Sequence, residues 1–351
     1  YKAVDGCPTP WHLAHHGRFA LGGVGGAFVE ATGVTPEGRI TPGCTGLWND
    51  RQRDLFAGIT ELYHSQGVPV GIQIGHAGRK ASAARPWDGA GPLPASDPEA
   101  WETVGASAVA MAEGWPAPRA LQRAEIDQLV DQFAEAARRA VAAGFDFVEI
   151  HGAHGYLIHS FFSPLSNQRS DEFGGDLAGR MRLPLEVAEA VRGAIPTEMP
   201  LFYRASAVDG APDGLQIEDT IALARELKRR GVDVIDCSSG GVRGSTTLVA
   251  QAPEPGFQVP YAAAIRREAD ILTMAVGLIL SPRQAEAIVA EGSADLVALG
   301  RQLIADPNFS YHAALELGAP EPHDVLPQSY SFYLSRRAAS LGANLPVSGR
   351  A

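Results

Sequence analysis

The amino-acid sequence predicts an α/β protein, a (β/α)8 barrel that forms a single domain over residues 1–351. Two observations support this prediction. Short apolar runs recur along the chain with helical patterns between most of them, which is typical of parallel strands joined by helices. The runs are also almost continuously apolar, which indicates strands buried on both faces. The seven runs are residues 26–31, 69–74, 145–150, 201–205, 233–238, 271–276 and 295–300.

The helices are predicted from apolar residues that recur every three or four positions. Residues 123–144 and 217–231 carry this pattern, and each segment closes on a glycine that can terminate a helix. Another helix is expected over 9–23, ahead of every predicted strand. A (β/α)8 barrel begins with a strand and contains eight of them. We therefore expect that the first strand of the barrel is missing from the N-terminus of this sequence.

Composition limits the possible partners and the cellular location. The formal net charge of −11 argues against nucleic acid and anionic membrane surfaces as partners. The chain has no run of eighteen apolar residues and no secretory pattern at its start, so no membrane span is expected. Cys7, Cys44 and Cys237 are few and far apart, which favours a reducing, cytoplasmic setting over a disulfide framework.

Residues 81–122 form an unusually long connection rich in proline, glycine and tryptophan. Long loops in compact domains are usually functional. This one follows the predicted strand 69–74, and barrel enzymes build their active sites at the carboxyl ends of their strands. We predict a lid or a wall of the active-site pocket. A surface hairpin that packs without touching the substrate is the alternative.

The stretch EIHGAHGY, residues 149–156, places two histidines and a tyrosine just past the end of a strand. Three interpretations are open: a metal site, a structural pair of histidines, or a pair of N–H donors for one substrate oxygen with a phenol as proton donor. A metal site would lack a third ligand nearby and cysteine partners. We favour the third interpretation, in which His151, His154 and Tyr156 are catalytic.

The segment EIHGAHGYLIHSFFSPLSNQRSDEFGGDLAGR resembles the signature segment of the old yellow enzyme family, the FMN-dependent ene-reductases. The resemblance extends from Tyr1 to about Asn308 and is most similar to the thermophilic-like and xenobiotic-reductase branch. Several further pieces occur in the family's order: VEATGVTPEGR at 29–39, GIQIGHAGRK at 71–80, LFYRASAVD at 201–209, DCSSGG at 236–241 and ALGRQLIADPNF at 298–309.

The resemblance implies a non-covalent FMN and assigns residues to its ring system. The Gln73 amide suits the alternating donors and acceptors of the flavin pyrimidine edge, although it could also be a capping glutamine. Arg204 interrupts an apolar strand and would stabilise negative charge near flavin N1, although an internal salt bridge with a carboxylate would also explain it. Ala31 is small where the ring must lie close, and core packing is the alternative for this residue.

The resemblance also implies a phosphate site at the last two strands. Gly277 and the pair Gly300–Arg301 follow strands 271–276 and 295–300, where barrels commonly bind phosphate through backbone N–H groups. Arg301 could add a bidentate contact. Turn glycines beside a solvated arginine are the alternative.

The implied reaction is ping-pong reduction of the activated C=C bond of an enone or nitro compound, with NADPH or NADH reducing FMN first. His151 and His154 would bind the substrate oxygen, and Tyr156 would protonate the α-carbon. Tyr1 matches a tyrosine on the substrate side of the site, unless it is a surface residue. The family's first strand, which tunes the flavin potential, is not present in this sequence.

Other functions would need different residues at the site. Within the family, a flavin-dependent dehydrogenase or demethylase acting on amine or ring substrates is the alternative. A Schiff-base aldolase would need a lysine at a strand end, and only Lys80 lies in a suitable place. A non-catalytic flavin-binding protein would be expected to lose Tyr156 or Arg204, and both are present.

The C-terminal tail, residues 310–351, resembles the branch pattern only loosely. In that pattern an aromatic or arginine side chain of the tail reaches the active site of a neighbouring subunit. Tyr330, Tyr333 and Arg336 are the candidates, and an ordinary amphipathic terminal helix is the alternative. A homo-oligomer, a dimer or a tetramer, is expected.

Overall fold

A computed structural model describes residues 1–243 and 253–341 of the chain. Seven of its nine strands form one parallel sheet in the order β1-β2-β5-β6-β7-β8-β9, and β3 and β4 form a separate small sheet. The strands are β1 (Ala27–Gly33), β2 (Val70–Gly75), β3 (Val104–Gly105), β4 (Arg119–Ala120), β5 (Phe147–Gly152), β6 (Leu201–Ser206), β7 (Val234–Ser238), β8 (Leu272–Ala275) and β9 (Leu296–Val297).

Helices connect the strands of the large sheet, as the sequence predicts. The helices expected over 9–23, 123–144 and 217–231 are confirmed, and Gly144 and Gly231 adopt left-handed φ values of 86° and 81° just past two of them. The helices are α1 (Pro10–Ala20), α2 (Asp50–His64), α3 (Arg123–Ala142), α4 (Leu157–Phe162), α5 (Leu177–Ala194), α6 (Ile217–Arg229), α7 (Val259–Ala269), α8 (Pro282–Ala290), α9 (Arg301–Ala305), α10 (Phe309–Leu317) and α11 (Gln328–Leu341).

The sheet curls around an aromatic cluster. The rings of Phe28 and Phe202 lie 5.4 Å apart between centroids, although their strands β1 and β6 are separated by two others in the sheet. Phe147 packs edge-on to Phe28 at 4.8 Å. Gly71 makes room for it, because a Cβ at that position would lie 2.0 Å from the Phe147 ring. The curled α/β sheet is therefore the barrel architecture that the sequence predicts.

The structure contains seven strands of the barrel, as the sequence indicates. Within the described residues there is no eighth strand, and β1 and β9 are the two edges of the sheet. β9 covers only two residues of the predicted strand 295–300. It is short because β8 ends at Ala275, so that only Leu296 and Val297 have ladder partners.

Residues 81–122 contain a 3-10 helix at Pro86–Asp88 and the short strands β3 and β4. The insertion packs on the carboxyl end of the sheet through the Arg79 guanidinium, which donates hydrogen bonds to the carbonyls of Val109 and Ala110. Its Trp101 indole donates to the carbonyl of Glu37 at 2.9 Å. These contacts place the insertion next to residues that follow β1 and β2; its role as a lid or pocket wall stays a prediction.

The three candidates in the tail all lie on the terminal helix α11: Tyr330, Tyr333 and Arg336. Their aromatic side chains are largely exposed: Tyr333 retains 72% of its accessible surface. The rest of the predicted tail, residues 342–351, lies outside the described residues. Within the two described ranges, no helix has both the length and the apolar character needed to cross a membrane.

Candidate active site

His151, His154 and Tyr156 converge at the carboxyl end of the sheet. His151 lies in β5, Tyr156 caps the start of α4, and His154 lies in the turn between these elements. The His151 ring centroid is 5.1 Å from that of His154 and 4.9 Å from that of Tyr156, both in edge-to-face geometry. The structure thus brings together the three side chains that the sequence predicts to be catalytic.

The orientation of His151 exposes one nitrogen to the pocket. Its Nδ1 accepts a hydrogen bond from the backbone N–H of Ala153 at 3.3 Å, so the proton of the neutral ring lies on Nε2. Burial lowers the pKa of His151 well below its ordinary value, and the nearby charge of Arg204 lowers it further. The ring is therefore a neutral donor through Nε2.

The backbone of His154 is held in an uncommon conformation. Its φ of 61° lies in the left-handed region, where histidine is among the better-tolerated residues. The Ser206 hydroxyl accepts from the His154 N–H at 2.9 Å, and the Lys80 ammonium donates to the His154 carbonyl at 2.8 Å. Two side chains therefore stabilise the turn that aims this ring at His151. Burial lowers the pKa of His154 well below its ordinary value.

Tyr156 is half-buried beside a lysine. Burial raises the pKa of the Tyr156 phenol far above its ordinary value, so the hydroxyl keeps its proton. The Lys80 ammonium lies 5.3 Å from the centre of the Tyr156 ring and also donates to the Gly241 carbonyl at 3.0 Å. Burial, and then the charge of Arg79, lowers the pKa of Lys80 to about 8.

Gln73 and Glu149 form a buried pair below the histidines. The two residues are register partners on β2 and β5, and the Gln73 amide Nε2 donates to Glu149 Oε1 at 2.5 Å. No other described residue hydrogen bonds to the Gln73 amide, so its oxygen and second N–H can serve a ligand. Gln73 is not a capping residue in this structure.

Arg204 pairs with a carboxylate that the sequence analysis did not identify. Its Nε lies 3.2 Å from Asp236 Oδ2, the register partner on β7. The internal salt bridge considered as an alternative is therefore present. About a quarter of the Arg204 side chain, 24%, nevertheless remains accessible, so the rest of the guanidinium can contact a bound group as well.

The residues predicted to bind phosphate lie at the ends of β8 and β9, which are neighbours in the sheet. Gly277 has a φ of 116°, a conformation that glycine adopts readily. Gly300 and Arg301 are exposed at the start of α9, and a Cβ at Gly300 would meet no atom within 4 Å. An anion could approach this open backbone. Among the described residues, no side chain beyond those of its two chain neighbours lies within 4 Å of the position of a Cβ at Gly300.

A small pocket lies beside His151 and Tyr156. Ala31 and Tyr156 both line it, so Ala31 does not serve core packing alone. Tyr1 is partly exposed and packs edge-on to Trp87 of the insertion, with ring centroids 5.7 Å apart. The pocket is lined by Ala31, Thr32, Gly33, Gly38, Arg39, Ile40, Gly75, His76, Ala77, His151 and Tyr156.

Several residues of the site were missed by sequence reasoning. Glu149 and Asp236 carried a usable signal, because each interrupts an apolar strand in the same way as Arg204 does. Lys80 was considered only as a Schiff-base lysine, and nothing in the spacing indicates its contacts with His154 and Gly241. Among the described residues, no group of three or more histidine, cysteine, aspartate or glutamate side chains is arranged to hold a metal ion.

Comparison with known proteins identifies relatives of the chain. Residues 3–318 match the model of the NADH:flavin oxidoreductase / NADH oxidase family. The chain is 44% identical to an NADPH dehydrogenase of Geobacillus thermodenitrificans over 314 residues, which cover 90% of this chain and 86% of that protein. It is 42% identical to an NADPH dehydrogenase of Bacillus subtilis, covering 92% and 88% of the two chains.

Solved structures share the fold. Morphinone reductase superposes with a TM-score of 0.73 at 26% identity, over 95% of this chain and 89% of that one. The old yellow enzyme homologue from Zymomonas mobilis superposes with a TM-score of 0.71 at 26% identity, over 94% and 91% of the two chains.

The chemistry of the observed side chains fits the flavin of this family. The amide oxygen and second N–H of Gln73 offer an acceptor and a donor. The accessible part of the Arg204 guanidinium offers a cation, and the open backbone at Gly300 offers an anion-binding contact. The chain belongs to the NADH:flavin oxidoreductase / NADH oxidase family, the family of the old yellow enzymes, and is an FMN-dependent NAD(P)H oxidoreductase.

Proposed function

We propose that the enzyme reduces the activated C=C bond of α,β-unsaturated carbonyl or nitro compounds. The observation that carries the proposal is the convergence of His151, His154 and Tyr156, whose ring centroids lie 4.9 to 6.5 Å apart, beside a pocket that His151 and Tyr156 line. Two donors suited to one oxygen and a phenol beside them are what a polarised double bond requires.

FMN, when bound, would supply the hydride-transfer chemistry between a nicotinamide and the β-carbon of the substrate. Gln73, Arg204 and Ala31 would hold its ring system, and Gly277, Gly300 and Arg301 its phosphate. The accessible part of the Arg204 guanidinium, although the residue is paired with Asp236, would lie beside the ring and stabilise negative charge that develops on it.

The histidines bind the substrate oxygen and draw electron density from the double bond. Burial lowers the pKa of both rings, so they are neutral imidazoles. Each ring keeps one N–H as a donor and lacks the second proton of an imidazolium, which the substrate could otherwise take. His151 presents its Nε2–H, since its Nδ1 accepts from Ala153. A second donor from His154 would stabilise the charge that develops on the oxygen as hydride arrives.

Tyr156 donates the proton that completes the reduction. Its raised pKa keeps the phenol protonated at every working pH, and the basic α-carbon formed by hydride addition is a strong enough acceptor to take the proton. Tyr1 and Trp87 would form the outer wall of the substrate site. We propose accordingly that residues 81–122 act as a lid or pocket wall of a single domain, and that the tail helix serves a homo-oligomer.

The experiment is a visible spectrum of the purified protein, followed by anaerobic addition of NADPH, or of NADH, and then of cyclohexenone or a nitroalkene. We expect a flavin spectrum that bleaches with the nicotinamide and returns with the unsaturated substrate. Bleaching without return with either substrate would exclude the proposed activity. Bleaching by an amine substrate in the absence of nicotinamide would support the dehydrogenase or demethylase alternative.

A further inference from the structure

Two buried acidic residues with no catalytic assignment lie directly beneath the active site. Glu149 on β5 and Asp236 on β7 each retain only 2% of their accessible surface, and the two carboxyl groups interact across the intervening strand β6. Two carboxylates this close in a dry interior repel strongly unless a proton lies between them.

One hydrogen bond and one ion pair leave one oxygen of each carboxyl group buried without a partner. Glu149 Oε1 accepts from the Gln73 amide, and Asp236 Oδ2 pairs with the Arg204 guanidinium. Glu149 Oε2 and Asp236 Oδ1 are both buried and have no partner. A buried acceptor without a donor costs the full desolvation of that atom, about 1–3 kcal/mol and more when charged. One proton shared by these two oxygens satisfies both.

We propose that Glu149 is a positioning residue that holds one proton, shared with ionised Asp236, and that this acid pair links the Gln73 amide to the Arg204–Asp236 ion pair. The linkage runs from the Gln73 amide through the neutral Glu149 acid and the Asp236 carboxylate to the Arg204 guanidinium. This inference rests on the proposed function for the roles of Gln73 and Arg204 at the cofactor.

The shared proton determines both charge and orientation in this layer. With it, Arg204 and Asp236 balance each other and the layer is neutral; without it, a second negative charge would lie beneath the flavin and oppose its reduction. The neutral acid also fixes the Gln73 amide, because its carbonyl oxygen accepts from Gln73 Nε2 while its hydroxyl donates to Asp236. Gln73 then presents its own oxygen and second N–H to the cofactor in a single orientation.

The electrostatic environment supports this assignment. The groups that face Glu149 are Gln73 from β2, Arg204 from β6 and Asp236 from β7. Burial, and then the charge of Asp236, raises the pKa of Glu149 from 4.5 to about 8. The folded protein therefore retains a proton that the unfolded chain has lost between these two pH values, so stability declines as the pH rises through this window.

The test compares the holoenzyme with Glu149→Gln, a neutral isostere of the protonated acid. We expect the infrared band of a buried protonated carboxylic acid in the unmodified holoenzyme and its absence in the variant. The midpoint potential of bound FMN should stay unchanged, since a neutral group replaces a neutral group. The decline in denaturant stability between pH 4.5 and about 8 should become shallower in the variant. Glu61→Gln, exposed on α2, is the control that should alter none of these readings.

Two results would overturn the assignment. One is the absence of the acid band in the unmodified holoenzyme. The other is a more positive FMN potential in Glu149→Gln, because that shift would mean that the substitution removed a negative charge. If the variant does not bind FMN, the band of the unmodified holoenzyme and its loss as pH rises through about 8 still decide the question. None of these readings uses an enone, so failure of the proposed reductase activity would leave them interpretable.

Discussion

The Nε2 atom of His154 lies 2.6 Å from the hydroxyl oxygen of Ser238. N–H···O hydrogen bonds are usually about 2.7–3.2 Å long, so this contact is shorter than an imidazole N–H donor normally makes. The Ser238 oxygen is also 3.3 Å from Gln258 Oε1, a much longer contact that competes poorly for the single hydroxyl proton. We infer that Ser238 donates to His154, which leaves the proton of the imidazole on Nδ1.

This relationship predicts the effect of Ser238→Ala. Loss of the hydroxyl frees the other tautomer of His154, in which Nδ1 no longer donates to the substrate oxygen. The dissociation constant of a phenol ligand should rise roughly 2- to 12-fold, the equivalent of one neutral hydrogen bond. Nitrogen-15 NMR of labelled histidine should report the tautomer change directly. Ser239→Ala is the matched control, since Ser239 contacts Gln258 and not His154; equal effects of both substitutions would contradict the inference.

Tyr156→Phe should separate the two halves of the catalytic cycle. Reduction of the flavin by the nicotinamide needs no proton from this residue, so that rate should hardly change. Reoxidation by cyclohexenone should slow by roughly 10²–10⁴-fold, the usual contribution of a general acid. A nitroalkene should be less affected, because its nitronate product can leave and be protonated in solution. Stopped-flow measurement of both half-reactions decides the matter, and equal slowing of both would indicate a structural tyrosine.

Replacing either active-site histidine should impair substrate binding and spare the cofactor. His151→Ala and His154→Ala each remove one donor to the developing oxyanion, and loss of such a donor costs roughly 10²–10³-fold in rate. FMN content should remain stoichiometric in both variants. His64→Ala, a partly exposed histidine paired with Asp146 on the far end of the sheet, is the control. Activity that depends on added metal ion and is abolished by a chelator would instead revive the metal-site interpretation.

The pH dependence of reoxidation should lack an inflection at the ordinary histidine pKa of about 6.5. Burial lowers the pKa of His151 and of His154, so both rings stay neutral down to lower pH and the donors are retained there. The loss of rate that histidine protonation would cause is therefore displaced to more acidic pH. Stopped-flow reoxidation by cyclohexenone from about pH 5.5 to about pH 7.5 covers the relevant interval. A step centred on the ordinary value would show that at least one ring is not buried as described.

Lys80→Met should lower the affinity for a phenol ligand, although Lys80 is not proposed to contact the substrate. The substitution keeps the apolar stem and removes the hydrogen bonds to the carbonyls of His154 and Gly241. The left-handed turn at His154 then loses one of its two side-chain supports, and we expect phenol affinity to fall roughly 10-fold, toward the lower end for a charged hydrogen bond. Lys228→Met, which breaks an exposed pair with Asp270, is the control and should change little. Unchanged affinity in Lys80→Met would mean that Ser206 alone maintains the turn.

The order of the strands and the position of the site could be predicted from the sequence. Apolar runs of five or six residues, separated by helices, specify parallel strands, and the carboxyl ends of such strands lie at one edge. His151, His154 and Tyr156 follow directly from their place after FDFVEI. Their proximity is a local property, because the last lies only five positions after the first.

The partners of these side chains depend on contacts between distant strands. Glu149 and Asp236 are 87 positions apart in the chain, and only the register of β5, β6 and β7 brings them together with Arg204. The same holds for Ser238, 84 residues from His154, and for Lys80, 74 residues from it. Sequence patterns therefore determined the scaffold and the candidate site residues, because periodicity and local spacing are encoded within one segment. The tertiary structure decided their protonation and orientation, because burial and cross-strand hydrogen bonds exist only after the sheet has curled.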